Sequence, residues 1–294
     1  TRGVVAMAGP GMDVRRRAVL AARVRAHVPA AAIPPLVRLR TARDLRSPRV
    51  LAQARAHMEF LVGQARPHAD LDALAREYVA WNRWRIETRW HHDRFLPAVR
   101  MEGVEHLAAG HAGAVVNFLH HGPFERLGLS LARHGQHLHM MMAPWFFADR
   151  VPPHLHQHRL ITERGCSVFS SEEGSDGVRR RLADGQLVSL ATDMPGSTPV
   201  TFLGRELLGT FGAARLAHET DRPVLVVTSH RDESGEPCFR VHEPLTPDRF
   251  ADPHALLRAM LARHEPAVLA WPAAYEEPRS KWGTPAEQGS TSAA

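Results

Sequence analysis

From Arg100 onward the chain alternates short apolar runs with amphipathic stretches, and no other feature narrows its fold as much. Seven runs read as strands: 112–119 ("AGAVVNFL"), 136–143, 166–171, 186–193, 199–204, 223–230 and 238–245. Helical patterns lie between and after them, at about 124–134, 174–184, 209–220 and 253–264. Strands that are apolar at nearly every position are covered on both faces, and their alternation with helices points to crossover connections. The expected fold class is therefore α/β, a central mixed, largely parallel sheet flanked by helices.

The residues before that region follow a helical period. In 70–81, Leu71, Leu74, Tyr78 and Trp81 fall on one stripe, with Asp70 placed to cap the first turn. Residues 13–100 are expected to form a helical segment packing on an α/β core at 101–282. The opening, 1–12, lacks Met at position 1 and contains Gly-Pro-Gly, and the small polar tail 283–294 has nothing to bury; both are expected to be disordered.

The chain has 294 residues and a formal charge of +6, which suits an acidic partner such as coenzyme A, an acidic carrier protein, anionic lipid or nucleic acid. Only one of its 37 basic residues is lysine, Lys281, a bias that a GC-rich genome also produces. Cys166 and Cys238 stand far apart with no C-x-x-C spacing, so neither a disulfide framework nor a zinc ribbon is indicated, and a reducing cytoplasm fits. No apolar run approaches the roughly 20 residues that cross a bilayer. Nucleotide loops of the G-x-G-x-x-G or G-x-x-x-x-G-K-[ST] type are absent.

Chemistry concentrates in "NFLHHGPFERLG", residues 117–128. An apolar strand ends there, Gly122 permits a sharp turn, and Pro123 suits the first turn of a helix. In α/β sheets ligands bind at the carboxyl ends of strands, which puts His120 at a site mouth. His120 on the strand end and Glu125 in the first helical turn can converge, and a carboxylate on one imidazole nitrogen would prepare the other to take a proton. The same residues also fit a histidine that closes a turn beside a glutamate favoured by the helix dipole.

"HHGPFE", an H-x-x-x-x-E behind an apolar strand, resembles the signature of the lipid A biosynthesis lauroyl/myristoyl acyltransferases and the related phosphatidylinositol mannoside acyltransferases, within the wider lysophospholipid acyltransferase superfamily. The block from Gly177 to Val227 is also similar to that family, with Asp193, Phe202 and Gly204 at matching positions. The resemblance implies direct transfer of an acyl group from a coenzyme A or acyl carrier protein thioester to a hydroxyl or amine, without a bound cofactor. His120 would be the general base, oriented by Glu125. Asn117, Gly122, Arg164, Asp193, Phe202 and Gly204 would contact substrate, with the Gly122 turn and Arg164 as candidates for steadying the oxyanion.

The chain departs from that family in ways that bear on the acceptor. The strand after the first motif reads "HMMMAPW" without an arginine, the C-terminal region reads "LAWPAAYEEPRSKWG", and no N-terminal membrane helix is expected. A small or carrier-bound acceptor is therefore expected, with a lipid acceptor at an anionic inner-membrane surface as the alternative. A thioesterase using His120 on water is a further alternative, since no G-x-S-x-G elbow supplies a nucleophile. His154, His156 and His158 would share a face only on a strand, and no metal site is expected. Nucleic acid is not expected as a partner, because the arginines show no clear cluster with stacking aromatics.

Overall fold

The computed structural model describes residues 20–284, apart from 21, 23, 149 and 150. The expected disordered start at 1–12 lies outside the described residues, as does the tail from 285 on. Within the described part of that tail, Gly283 forms an isolated bridge with Leu208 through two backbone hydrogen bonds of 2.9 Å.

Three long helices precede the sheet: α1 (Ile33–Asp44), α2 (Pro48–Val62) and α3 (Leu71–Thr88). Each start has a local cause. Pro34 and Pro35 occupy the first turn of α1, where their missing N–H groups cost nothing. Ser47 caps α2, and the Asp70 carboxylate accepts from the amides of Asp72 and Ala73 at the start of α3. The expected stripe on α3 faces inward: Tyr78 is buried, and Leu71, Leu74 and Trp81 pack against the core. Helix α1 was not legible as a period, because it buries few side chains: Ile33, Val37 and Asp44. A short helix, α4 (His92–Phe95), leads to the sheet.

Seven strands form the central sheet: β1 (Arg100–Glu102), β2 (Ala114–Phe118), β3 (Leu138–Met142), β4 (Cys166–Ser170), β5 (Leu187–Ala191), β8 (Val224–Arg231) and β9 (Pro237–Val241), with β6 (Thr198–Phe202) and β7 (Arg205–Gly209) set apart. Their spatial order is β1-β9-β8-β2-β5-β3-β4, and every neighbouring pair is parallel except β8 with β9. The mixed, largely parallel sheet is thus present. The other helices are α5 (Leu127–Ala132), α6 (Pro153–Thr162), α7 (Gly174–Ala183), α8 (Gly212–Thr220), α9 (Pro253–Ala270) and α10 (Pro278–Lys281).

Both faces of the sheet are covered. Val115, Val188 and Val226 belong to the cluster shared with α2, α3, α8 and α9, while Val116, Leu187 and Leu225 belong to the opposite cluster with α5. Period-two alternation with apolar residues on both sides explains the near-continuous apolar runs.

Two elements differ in their bounds from the sequence reading. The run at 199–204 is the first half of a hairpin, β6 (Thr198–Phe202) and β7 (Arg205–Gly209), so the following helix begins at Gly212 rather than 209. Leu203 and Gly204 form its two-residue turn with φ of 52° and 75°, the left-handed geometry that matches strand twist. The "PHLHQH" stretch opens helix α6, so its three histidines do not share a strand face. Helix α9 continues past 264 through Pro266, because burial of Ala267 and Val268 outweighs the local penalty.

Candidate active site

Strand β2 pairs with β5 in parallel, Phe118 opposite Ala191. Two residues further along each strand stand His120 and Asp193, so the register itself brings them together at the carboxyl end of the sheet. The Asp193 carboxylate accepts from His120 Nδ1–H at 2.9 Å through Oδ1, and from the backbone N–H of His120 at 2.7 Å through Oδ2. Asp193 is fully buried, whereas the His120 side chain keeps 14% of its surface. With the proton held on Nδ1, the lone pair sits on Nε2, which makes no hydrogen bond among the described residues.

The C-terminal segment completes this arrangement. Ala274 to Glu276 run antiparallel to His120–Gly122, with Gly122 N–H donating to Ala274 O at 3.0 Å and Glu276 N–H to His120 O at 2.8 Å. Tyr275 thereby reaches Asp193 Oδ2 with its hydroxyl at 2.8 Å, and Trp282 Nε1–H donates to the Tyr275 oxygen at 3.0 Å. Burial first, and then the neighbouring Asp193, push the Tyr275 phenol well above its ordinary range, which keeps it a donor.

The partner expected for His120 was Glu125; the structure places Asp193 on Nδ1 instead. Glu125 lies in the turn of 3-10 helix at Phe124–Arg126, and its carboxylate is taken by Arg89 and Arg85 of the helical lead-in and by His158 Nδ1–H of α6 at 2.9 Å. Burial works to raise its pKa, but the two guanidiniums and the His158 bond outweigh it and hold the carboxyl well below the usual range. Glu125 thus fastens α3 and α6 to the turn that follows the histidines. His154 lies one turn before His158 on the same face of that helix, His156 lies elsewhere around it, and no group of three metal-ligating side chains occurs among the described residues.

The other expected site residues are distributed as follows. Asn117 is fully buried, donating to Leu190 O at 2.9 Å and Thr192 Oγ1 at 2.8 Å while accepting from His264 Nε2–H at 2.9 Å, so all its visible bonds are internal. Gly122 adopts φ of 64°, and its amide is committed to Ala274, which removes it as an oxyanion donor. A side chain at Gly122 would meet Ser229 Cβ at 2.5 Å. Arg164 donates to the carbonyls of His92 and Leu96 at 3.0 and 2.8 Å, so it anchors the chain around α4. Phe202 is buried against Trp282, ring centroids 5.2 Å apart, and Gly204 turns the hairpin. Phe202 of this F-x-G turn thus reaches the site through Trp282, whose indole N–H donates to Tyr275. His121 is buried and donates Nε2–H to Trp271 O at 2.8 Å; burial lowers its pKa to about 4.

Tyr275, Trp282, Arg85 and Arg89 escaped the sequence reading, and His158 entered it only as a metal-ligand candidate. Arg85 and Arg89 are spaced i, i+4 on the helical lead-in, a sign of a shared face that could have flagged them; nothing local singles out Tyr275. Arg85 and Glu276 also line a cleft of about 390 Å³ with His57, Tyr78 and His154. Burial would raise Glu276, yet Arg85 and Lys281 bring it down to about 2.

No protein-family profile matches the chain, and no curated protein matches it significantly. Among solved structures it is similar to the 1-acyl-sn-glycerophosphate (LPA) acyltransferase PlsC from Thermotoga maritima, with a TM-score of 0.40 and 16% identity over 85% of this chain and 96% of that one. That distant likeness assigns neither activity nor substrate.

Proposed function

We propose that the protein is an acyltransferase in which His120 is the general base and Asp193 its orienting carboxylate. The observation that carries this reading is the His120–Asp193 pair, with Nε2 left free at the carboxyl end of β2. No serine, threonine or cysteine hydrogen-bonds that nitrogen among the described residues, so a nucleophile has to come with the substrate. Cys166 is unsuited, since burial pushes its thiol up to about 12 and it donates to Thr162 O. The H-x-x-x-x-E motif and its family resemblance supply the reaction class.

In the proposed step, His120 Nε2 removes the proton from an acceptor hydroxyl or amine as its oxygen or nitrogen attacks the thioester carbonyl carbon. The tetrahedral oxyanion collapses, the C–S bond breaks, and the imidazolium returns its proton to the leaving thiolate. Asp193 stabilises the imidazolium and keeps its tautomer correct, the role a carboxylate plays in other histidine-based sites. The donor is an acyl thioester of coenzyme A or acyl carrier protein, and the acceptor a small or carrier-bound hydroxyl or amine.

No described helix is long and apolar enough to cross a membrane. The test is mass spectrometry of products after offering thioesters of several chain lengths, on both carriers, to a panel of soluble and lipid acceptors, with and without anionic vesicles. Transfer to a soluble acceptor without vesicles is the expected result. Free fatty acid regardless of acceptor would make the protein a hydrolase, and acylation seen only with vesicles would make the acceptor a lipid.

A further inference from the structure

The last described segment of the chain folds back onto the candidate site rather than ending away from it. Residues 274–276 pair with 120–122 by backbone hydrogen bonds, which fixes where the Tyr275 ring lies. Its hydroxyl then shares Asp193 Oδ2 with the backbone N–H of His120, leaving Oδ1 for the imidazole. Trp282 donates to the same hydroxyl oxygen, so the phenol proton has one direction left, toward Asp193. Trp282 is in turn held by Phe202, and at Gly209 any side chain would meet the indole ring at 2.9 Å.

We infer that Tyr275, locked by Trp282, is a positioning residue for the His120–Asp193 pair, making the C-terminal segment an integral part of the site. A carboxylate with two oxygens and only His120 as partner can rotate about its χ2. Two donors on Oδ2 prevent that rotation, and the Oδ1 to Nδ1 bond stays aligned through the proton transfer. The inference rests on the reaction proposed above, but its first readout does not require that reaction.

The test uses Tyr275→Phe and Trp282→Phe in the full chain. Proton NMR reads the His120 Nδ1–H resonance, identified by its loss in His120→Ala, without any substrate. An imidazole proton bonded to a carboxylate is expected far downfield, and in Tyr275→Phe it should move upfield or broaden, with Trp282→Phe showing a smaller change in the same direction. Where transfer is measured, Tyr275→Phe should lower kcat about tenfold with KM for donor and acceptor unchanged, the loss expected for one hydrogen bond. Should Tyr275→Phe fail to fold, Trp282→Phe decides by the same readings, since it keeps the ring on Phe202. An unmoved resonance in a folded variant overturns the positioning role, as does a raised KM at unchanged kcat. The proposed reaction stands or falls separately, on whether His120→Ala abolishes transfer.

Discussion

Asp193 Oδ1 accepts the Nδ1 proton of His120 at 2.9 Å across the β2–β5 pairing, while Glu125, only five residues from that histidine, is bound to Arg85, Arg89 and His158. Two carboxylates that look interchangeable in the sequence therefore have separable tasks. Asp193→Asn should lower kcat about 10²- to 10⁴-fold, the usual range for a general base, because an amide cannot stabilise the imidazolium. Glu125→Gln should chiefly cost stability, about 3–5 kcal/mol, since it leaves buried guanidiniums uncompensated. Steady-state kinetics on folded protein and chemical denaturation of both variants check this. The opposite pattern would restore Glu125 as the orienting group.

Acid should destabilise the protein partly through His121. Its folded pKa is near 4 against an ordinary 6.5, so between those values the unfolded chain binds a proton that the native state refuses. Unfolding free energy must then fall as pH drops from about 6.5 to 4, by on the order of 3 kcal/mol for this one group. His264, lowered by burial to about 3, and His242, near 4, act in the same direction. Urea denaturation at several pH values should show a shallower slope over that window for His121→Gln than for the unaltered chain.

Gly122→Ala should be costly wherever activity is measured. The position has φ of 64°, and the added carbon would lie 2.5 Å from Ser229 Cβ. Strain and overlap together are expected to remove about 2–3 kcal/mol and to displace the neighbouring histidines. Adding Ser229→Gly relieves the overlap but not the backbone strain, so the double variant should recover only part of the loss. Thermal melts of the three proteins test that ordering.

Asn117→Ala separates a structural role from a substrate contact. It leaves His264 and Thr192 without their buried partner, an expected cost of about 1–3 kcal/mol in denaturation. KM for either substrate should stay unchanged. A selective rise in one KM at unaltered stability would return Asn117 to the substrate-binding residues.

By itself the sequence determined the class of the fold and pointed to residues 117–128 as the candidate site. Apolar runs at the strand positions, Asp70 before a helical stripe, and the Gly122–Pro123 corner behind an apolar strand are all local signals, produced by side-chain periodicity and backbone preference over a few residues. Those signals put His120 at the end of a buried strand. They also favoured Glu125 as its partner, because proximity along the chain is the only proximity a sequence displays. Tertiary structure decided otherwise: β5 lies beside β2 in register, which delivers Asp193 to His120 from 73 residues away. Arg85 and Arg89 meanwhile reach Glu125 from α3 and the turn after it. Tyr275 and Trp282 enter by the same kind of event, the return of the C-terminal segment along residues 120–122 and against the Phe202 hairpin. Strand order, register and the docking of that segment are set by burial of both sheet faces and by non-local hydrogen bonds, which no short stretch of residues encodes.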